Sequence, residues 1–248
     1  MILRQIAGLF TVSGSLCLGA FAGEIRVAAA SNLQFVMPDL IVAFEAEHPE
    51  VNVSVSHAAS GNLVAQIRHG APFDVLMAAD AYYPRALIDS GHAERESLFV
   101  FAHGILVLWP RAEDQETWQD ILNRPELRRL AIAHPEIAPY GRAAQTFLQD
   151  QGQWDKLSPR IVTGENAAQT LQFVQSGNAD VGFVAASLLV SLPDPQPGVE
   201  IDLGEEALPH GAVRLTRTSQ ATTADLFLAW LKQDTATKIL SSAGYRAP

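Results

Sequence analysis

The chain is almost without cysteine. Cys17 is the only one in 248 residues, and it lies in an N-terminal apolar run that reads as a cleavable leader. Once that leader is removed the chain has no disulfide, no thiolate nucleophile and no thiolate metal ligand, even in an oxidising compartment. Positive charge is also scarce. Lys and Arg total 17 against 27 Asp and Glu, and loss of Arg4 with the leader leaves 16 against 27, a net charge of −11. That balance argues against nonspecific attachment to nucleic acid or to an anionic membrane.

Common enzyme signatures are missing too. The seven histidines show no H-x-x-x-H or similar spacing, so none of them marks a metal site. There is no G-x-S-x-G, no P-loop and no G-x-G-x-x-G. Ser, His and Asp all occur, as in any chain of this length, so a catalytic triad is neither built nor removed by the sequence.

Residues 1–22 have the layout of a secretory signal peptide. Arg4 is the only charge before the apolar and small residues from Ile6 to Ala22, and Ala20-Phe21-Ala22 offers the small side chains a signal peptidase needs. An N-terminal membrane anchor is the competing reading, but Ser and Gly interrupt the run and it falls short of the ~20 apolar residues of a span. Leu16 stands before Cys17, where a lipid-attachment site takes Gly, Ala or Ser.

What remains is 48% hydrophobic and 18% charged over the whole chain, enough to bury a core in one large domain or two small ones. Short apolar runs alternate with amphipathic stretches, the pattern of an α/β fold. Strands are expected at 25–28, 51–57, 73–78, 130–133, 161–163, 180–185 and 213–216, with another apolar run at 104–109. Helices are expected at 33–48, 62–69, 83–90, 142–151 and 166–176, and a single long one at 223–240. Pro193, Pro195 and Pro197 make 191–198 a loop.

Four junctions look alike. AAASN at 28–32, HAASGN at 57–62, APYGRA at 138–143 and TGENAA at 163–168 each follow a strand and open a helix with small, hydroxyl or glycine residues. Ligands of α/β folds gather at such carboxyl ends of strands, and free N–H groups at helix starts favour an anion. Ser31 or Ser60 alone would be an ordinary N-cap; the recurrence, two junctions in each half, is what suggests a cleft. Hydrogen bonds to a charged group contribute roughly 1.5–3 kcal/mol each, so six give about 9–18 against ~4 or more lost on association. Surface charge is screened beyond ~8 Å, so local donors can hold an anion in an acidic protein.

Tyr140 is placed either to donate to such a ligand or to pack at the cleft edge. Arg142 either attracts the anion or pairs with a carboxylate. Glu165 fits stabilisation of its helix start, and Asp74 and Asp80 fit structural roles beside a strand.

On these residues, together with ASGNLVAQI, GAPFDVLMAAD, GENAAQTLQFVQSGNADVGFV and FLAWLKQDTATKILSSAGY, the sequence resembles the periplasmic molybdate-binding protein family over essentially the whole mature chain. The resemblance implies a two-lobed α/β fold of the type II periplasmic-binding class, with two crossing strands as hinge. The lobes would span 23–102 with 206–248, and 103–205. It implies capture of molybdate or tungstate in the periplasm and delivery to an ABC importer membrane permease by a monomer that is not an enzyme, has no cofactor and binds no metal as a cation. The oxyanion contacts would be Ser31, Asn32, Ser60, Tyr140 and Ala167. Another branch of the family carries a ligand tyrosine where this chain has Ala185, which gives Tyr140 more weight. A receptor for sulfate or another tetrahedral oxyanion, and a secreted enzyme on a similar scaffold, are the alternatives.

Overall fold

The computed structural model describes residues 23–110, 115–193, 198–204 and 207–248. The signal-peptide expectation for 1–22, and part of the proline loop, lie outside the described residues. In chain order the elements are β1 (Gly23–Ala30), a 3-10 turn (Ser31–Leu33), α1 (Met37–Glu47), β2 (Val51–Ala58), α2 (Ser60–Arg68), β3 (Val75–Ala78) and α3 (Tyr82–Asp89). After β4 (Phe99–His103) come β5 (Leu106–Trp109), α4 (Trp118–Asn123), β6 (Leu130–Ala133), α5 (Pro139–Asp150), α6 (Trp154–Leu157), β7 (Ile161–Gly164) and α7 (Ala167–Gln175). The chain closes with β8 (Val181–Ala185), α8 (Ala186–Val190), β9 (Val199–Glu200), β10 (Pro209–Arg214), α9 (Ala221–Trp230) and α10 (Asp234–Ser242).

These strands form two five-stranded sheets, ordered β2-β1-β3-β10-β4 and β7-β6-β8-β5-β9. β1 runs parallel to β2 and β3, and β6 parallel to β7 and β8, while β10 and β5 enter antiparallel. Each sheet is the floor of one lobe. The chain crosses from the first lobe to the second between β4 and β5, and returns between β9 and β10. This is the two-lobed type II arrangement, with the carboxyl ends of β1, β2, β6 and β7 turned toward one cleft.

Several expectations need correcting: the returning strand expected at 213–216 is β10 at Pro209–Arg214, and the helix expected at 142–151 begins at Pro139. The strand at 25–28 continues to Ala30, and the helix expected from Leu33 begins as a 3-10 turn before α1 starts at Met37. Pro38 fits there because the first turn of a helix needs no N–H from it. The helix expected over 223–240 is two helices, separated by an extended Gln233. At 3.6 residues per turn, Ala236 in an unbroken helix would lie about 180° round from Phe227, yet both are fully buried. The break turns each helix's apolar face inward, with Phe227 and Trp230 edge-on to Phe44 at 5.1 and 5.5 Å. Finally, β4 was not expected: the apolar residues at 99–109 are two strands, one in each sheet, separated only by Gly104 and Ile105.

Candidate oxyanion site between the lobes

Ser31, Asn32, Ser60, Tyr140 and Ala167 line a single small cavity, together with five alanines and Pro139. All five are at most 5% exposed. The first three come from the first lobe and the last two from the second. The enclosed space is small, which excludes a bulky organic ligand.

Alanine governs the local geometry. Ala30, Ala59 and Ala138 occupy the cap positions of the 3-10 turn, α2 and α5, and none places a side-chain cap on the following N–H groups. The first N–H groups of a helix have no partner within it, so donors are presented where a longer cap would fill the cavity. α7 differs, since Asn166 Oδ1 accepts from Gln169 N–H at 3.0 Å; Ala167 is the residue of that helix start that meets the cavity. Ser60 Oγ accepts the N–H of Ala79 at 3.1 Å. With its acceptor side engaged, the hydroxyl keeps its proton to give.

Tyr140 enters from the first turn of α5. Its Oη is buried and has no hydrogen-bond partner among the described residues. Burial pushes the phenol well above its usual range, with nearby Tyr245 adding to the effect, so it remains a donor at any physiological pH. Leaving such a group unpaired costs about 1–3 kcal/mol. Two glycines make its position possible. A Cβ on Gly141 would overlap the Ala133 carbonyl oxygen beneath α5, and one on Gly104 would overlap both Tyr140 Oη and His210 Cε1.

Asn32 is held differently. Its side-chain nitrogen meets His210 Nε2 and donates to Tyr245 Oη, both at 2.8 Å. Its carbonyl oxygen accepts from Tyr245 Oη at 3.0 Å and, across the cleft, from Ser187 Oγ at 3.1 Å. Asn32 therefore reaches the cavity through its main chain rather than its amide.

Arg142 is not in the lining. Its Nη1 lies 3.2 Å from Asp80 Oδ2, and its guanidinium sits over the rings of Tyr82 and Tyr83 at 5.3 and 5.6 Å. Of the two roles open to it from sequence, carboxylate pairing is the one present. Desolvation raises the Asp80 carboxyl above its ordinary value, opposed by the Tyr83 N–H and by Arg142. The same region closes the lobes: Tyr83 Oη donates to Glu136 O and Gly61 N–H to Ile137 O, each at 2.9 Å. This cross-lobe cluster was missed in sequence, because its members are 53 to 76 residues apart and the motifs that hold some of them do not show which residues pair.

The lining contains neither a carboxylate nor a basic side chain, so it is a set of neutral donors. A cavity of about 430 Å³ between the lobes is larger, but Asp80, Asp150 and Asp202 line it with Arg142 as its sole basic residue, an environment that repels a dianion. Among the described residues no group of three or more His, Cys, Asp or Glu could hold a metal cation.

Two α/β lobes, a double crossover and a buried donor-lined cavity between them define a ligand-binding protein of the type II class. The sequence matches the bacterial extracellular solute-binding protein family over residues 25–246, and the chain belongs to that family. It is 32% identical to the molybdate-binding protein ModA of Rhodobacter capsulatus over 243 residues, covering 98% of this chain and 96% of the relative. It is 34% identical to the ModA of Azotobacter vinelandii over 241 residues, covering 94% of each. The solved periplasmic molybdate-binding protein of A. vinelandii superposes with a TM-score of 0.82 at 32% identity, covering 90% of this chain and 99% of that one.

Proposed function

We propose that this protein captures molybdate or tungstate in the interlobe cavity and presents it to the membrane permease of an ABC importer. The observation that carries the proposal is the unpartnered Tyr140 hydroxyl beside a lining of uncharged donors. A buried donor with no acceptor is costly unless the ligand supplies one. Molybdate, tungstate and sulfate offer only acceptors at neutral pH. Hydrogen phosphate carries a proton of its own, and no carboxylate in the lining would receive it. The similarity to molybdate-binding relatives favours the larger oxyanions over sulfate.

In this account Ser31 and Ser60 donate through hydroxyl and main chain, Asn32 and Ala167 through main-chain N–H, and Tyr140 through Oη. The protein acts as a monomeric carrier without catalysis. Residues 23–102 and 206–248 form one lobe and 103–205 the other, with closure as a hinge motion at the two crossovers. The ligand favours the closed state because only there do both lobes donate to it. A leader at 1–22 directs the chain to the periplasm.

Titration calorimetry of the mature protein with molybdate, tungstate, sulfate and phosphate tests this. Molybdate and tungstate are expected to bind at micromolar Kd or tighter, about −8 kcal/mol or stronger, with sulfate and phosphate at least tenfold weaker. Preference for sulfate would move the protein to the other oxyanion class, and silence with all four would end the proposal.

A further inference from the structure

We propose that His210 is a positioning residue of the oxyanion site, acting through Asn32; the proposal rests on the function given above. His210 lies on β10, at the return crossover, and is fully buried. Its Nδ1 is 2.8 Å from the carbonyl oxygen of Leu208. A carbonyl only accepts, so Nδ1 carries the proton, and Nε2 is left as the acceptor for the Asn32 side-chain amide. Tyr245 Oη takes the other proton of that amide. Both donors of the Asn32 side chain are thus spent inside the first lobe.

The consequence falls on the main chain. Asn32 is the middle residue of the 3-10 turn that begins the cavity wall, and a three-residue turn has little cooperative strength of its own. With its amide pinned by His210 and Tyr245, and its carbonyl by Tyr245 and Ser187, the peptide groups of the turn have one orientation. Their free N–H groups then face the ligand without being ordered at the moment of binding, a cost that otherwise subtracts from affinity.

The imidazole is well placed to act as this anchor. Phe101, Tyr140 and Tyr245 meet it edge-on with ring centroids 5.8, 5.9 and 5.4 Å away. Its Cε1 shares the space above Gly104 with Tyr140 Oη, so one ring braces a residue from each wall. Tyr140, Tyr245 and His103 are the titratable neighbours; none supplies a carboxylate that would stabilise an imidazolium. The neutral form, the one able to accept from Asn32, is therefore favoured by its surroundings.

The test compares His210→Gln and His210→Leu in the full mature chain by molybdate titration, with unfolding by denaturant measured on the same samples. Glutamine retains an oxygen acceptor for Asn32 and leucine does not. His210→Leu is expected to lower affinity by about tenfold or more, because the N–H groups of the turn must then be ordered on binding, and His210→Gln to return it to within about threefold of the parent. A residue that only fills space would give losses that follow the stability of each variant instead. Should His210→Leu fail to fold, Tyr245→Phe removes the other acceptor of the same amide and is expected to weaken binding while keeping the ring. Parent-like affinity in all folded variants, or a loss in Gln equal to that in Leu, overturns the positioning role alone. A parent that binds no oxyanion overturns the function and this role together.

Discussion

The first-lobe wall of the cavity is held by its own side chains, whereas the second-lobe wall ends in a hydroxyl that bonds nothing among the described residues. On the first wall, Ser60 is tied to Ala79, and Asn32 to His210 and Tyr245, before any ligand arrives. On the second, Tyr140 keeps an unspent donor. The contrast teaches a division of labour. One wall is rigid and preorganised, which saves ordering on binding. The other carries a local instability that the ligand relieves, so affinity and stability are expected to respond oppositely to substitutions on the two sides.

The largest expected effect is at Ser60. Ser60→Ala deletes a donor to the ligand and strands the buried Ala79 N–H. Affinity should fall by roughly 1.5–3 kcal/mol, about 10- to 150-fold, and ligand-free stability by about 1–3 kcal/mol. Calorimetry and denaturant unfolding read the two losses. Ser31→Ala, whose hydroxyl has no such tie among the described residues, should weaken binding with little change in stability.

Protonation should loosen the first wall. Burial holds His210 at about 4, with the Leu208 carbonyl opposing and His103 adding to the depression. Since the unfolded chain titrates near ~6.5, it takes up a proton over a range where the folded protein does not. Stability from this group is therefore fully present above about pH 6.5 and declines as pH falls to about 4, by up to ~3 kcal/mol. Burial depresses His57 as well, with the carbonyls of Ala29 and Ala30 opposing, so it acts in the same direction. Unfolding free energies of the ligand-free protein at pH 7 and pH 4.5, compared with His210→Gln, measure the share due to His210.

Tyr140→Phe probes the opposite wall. It should weaken molybdate binding about tenfold or more while leaving ligand-free stability unchanged or raised, because the deleted hydroxyl has no partner to lose. Smallest of all is Arg142→Gln. The Arg142 side chain is 40% exposed and that of Asp80 11%, and their pair straddles the lobes outside the cavity. Solvent screens the Arg142 end of the pair, which keeps its contribution near the exposed-pair range of about 0.2–1 kcal/mol although Asp80 is buried, so affinity should change by about fivefold or less, through faster release measured by stopped flow.

Much of this contrast was visible in the sequence, but unevenly. The four small-residue junctions were legible because each is local: a strand, a helix start and the alanines between them lie within a few residues. Their convergence on one cavity follows from the parallel strands of two mixed sheets ending at the same cleft. The bracing of the first wall was not legible. Asn32 meets His210 across 178 residues and Tyr245 across 213; His210 stands in no recognisable pattern, and the stretch that ends in Tyr245 carries no sign of a link to Asn32. The division of 221–242 into two helices was hidden for another reason. No Gly or Pro marks the break, which comes from two apolar faces that must turn toward the same core.

Titrating molybdate into the parent and Tyr140→Phe side by side, with denaturant unfolding of both in the absence of ligand, tests the central claim most directly. The account predicts micromolar or tighter binding by the parent, a loss of about tenfold or more in the variant, and no loss of stability. Equal affinity in the two proteins, or a drop in affinity matched by a drop in stability, would contradict it.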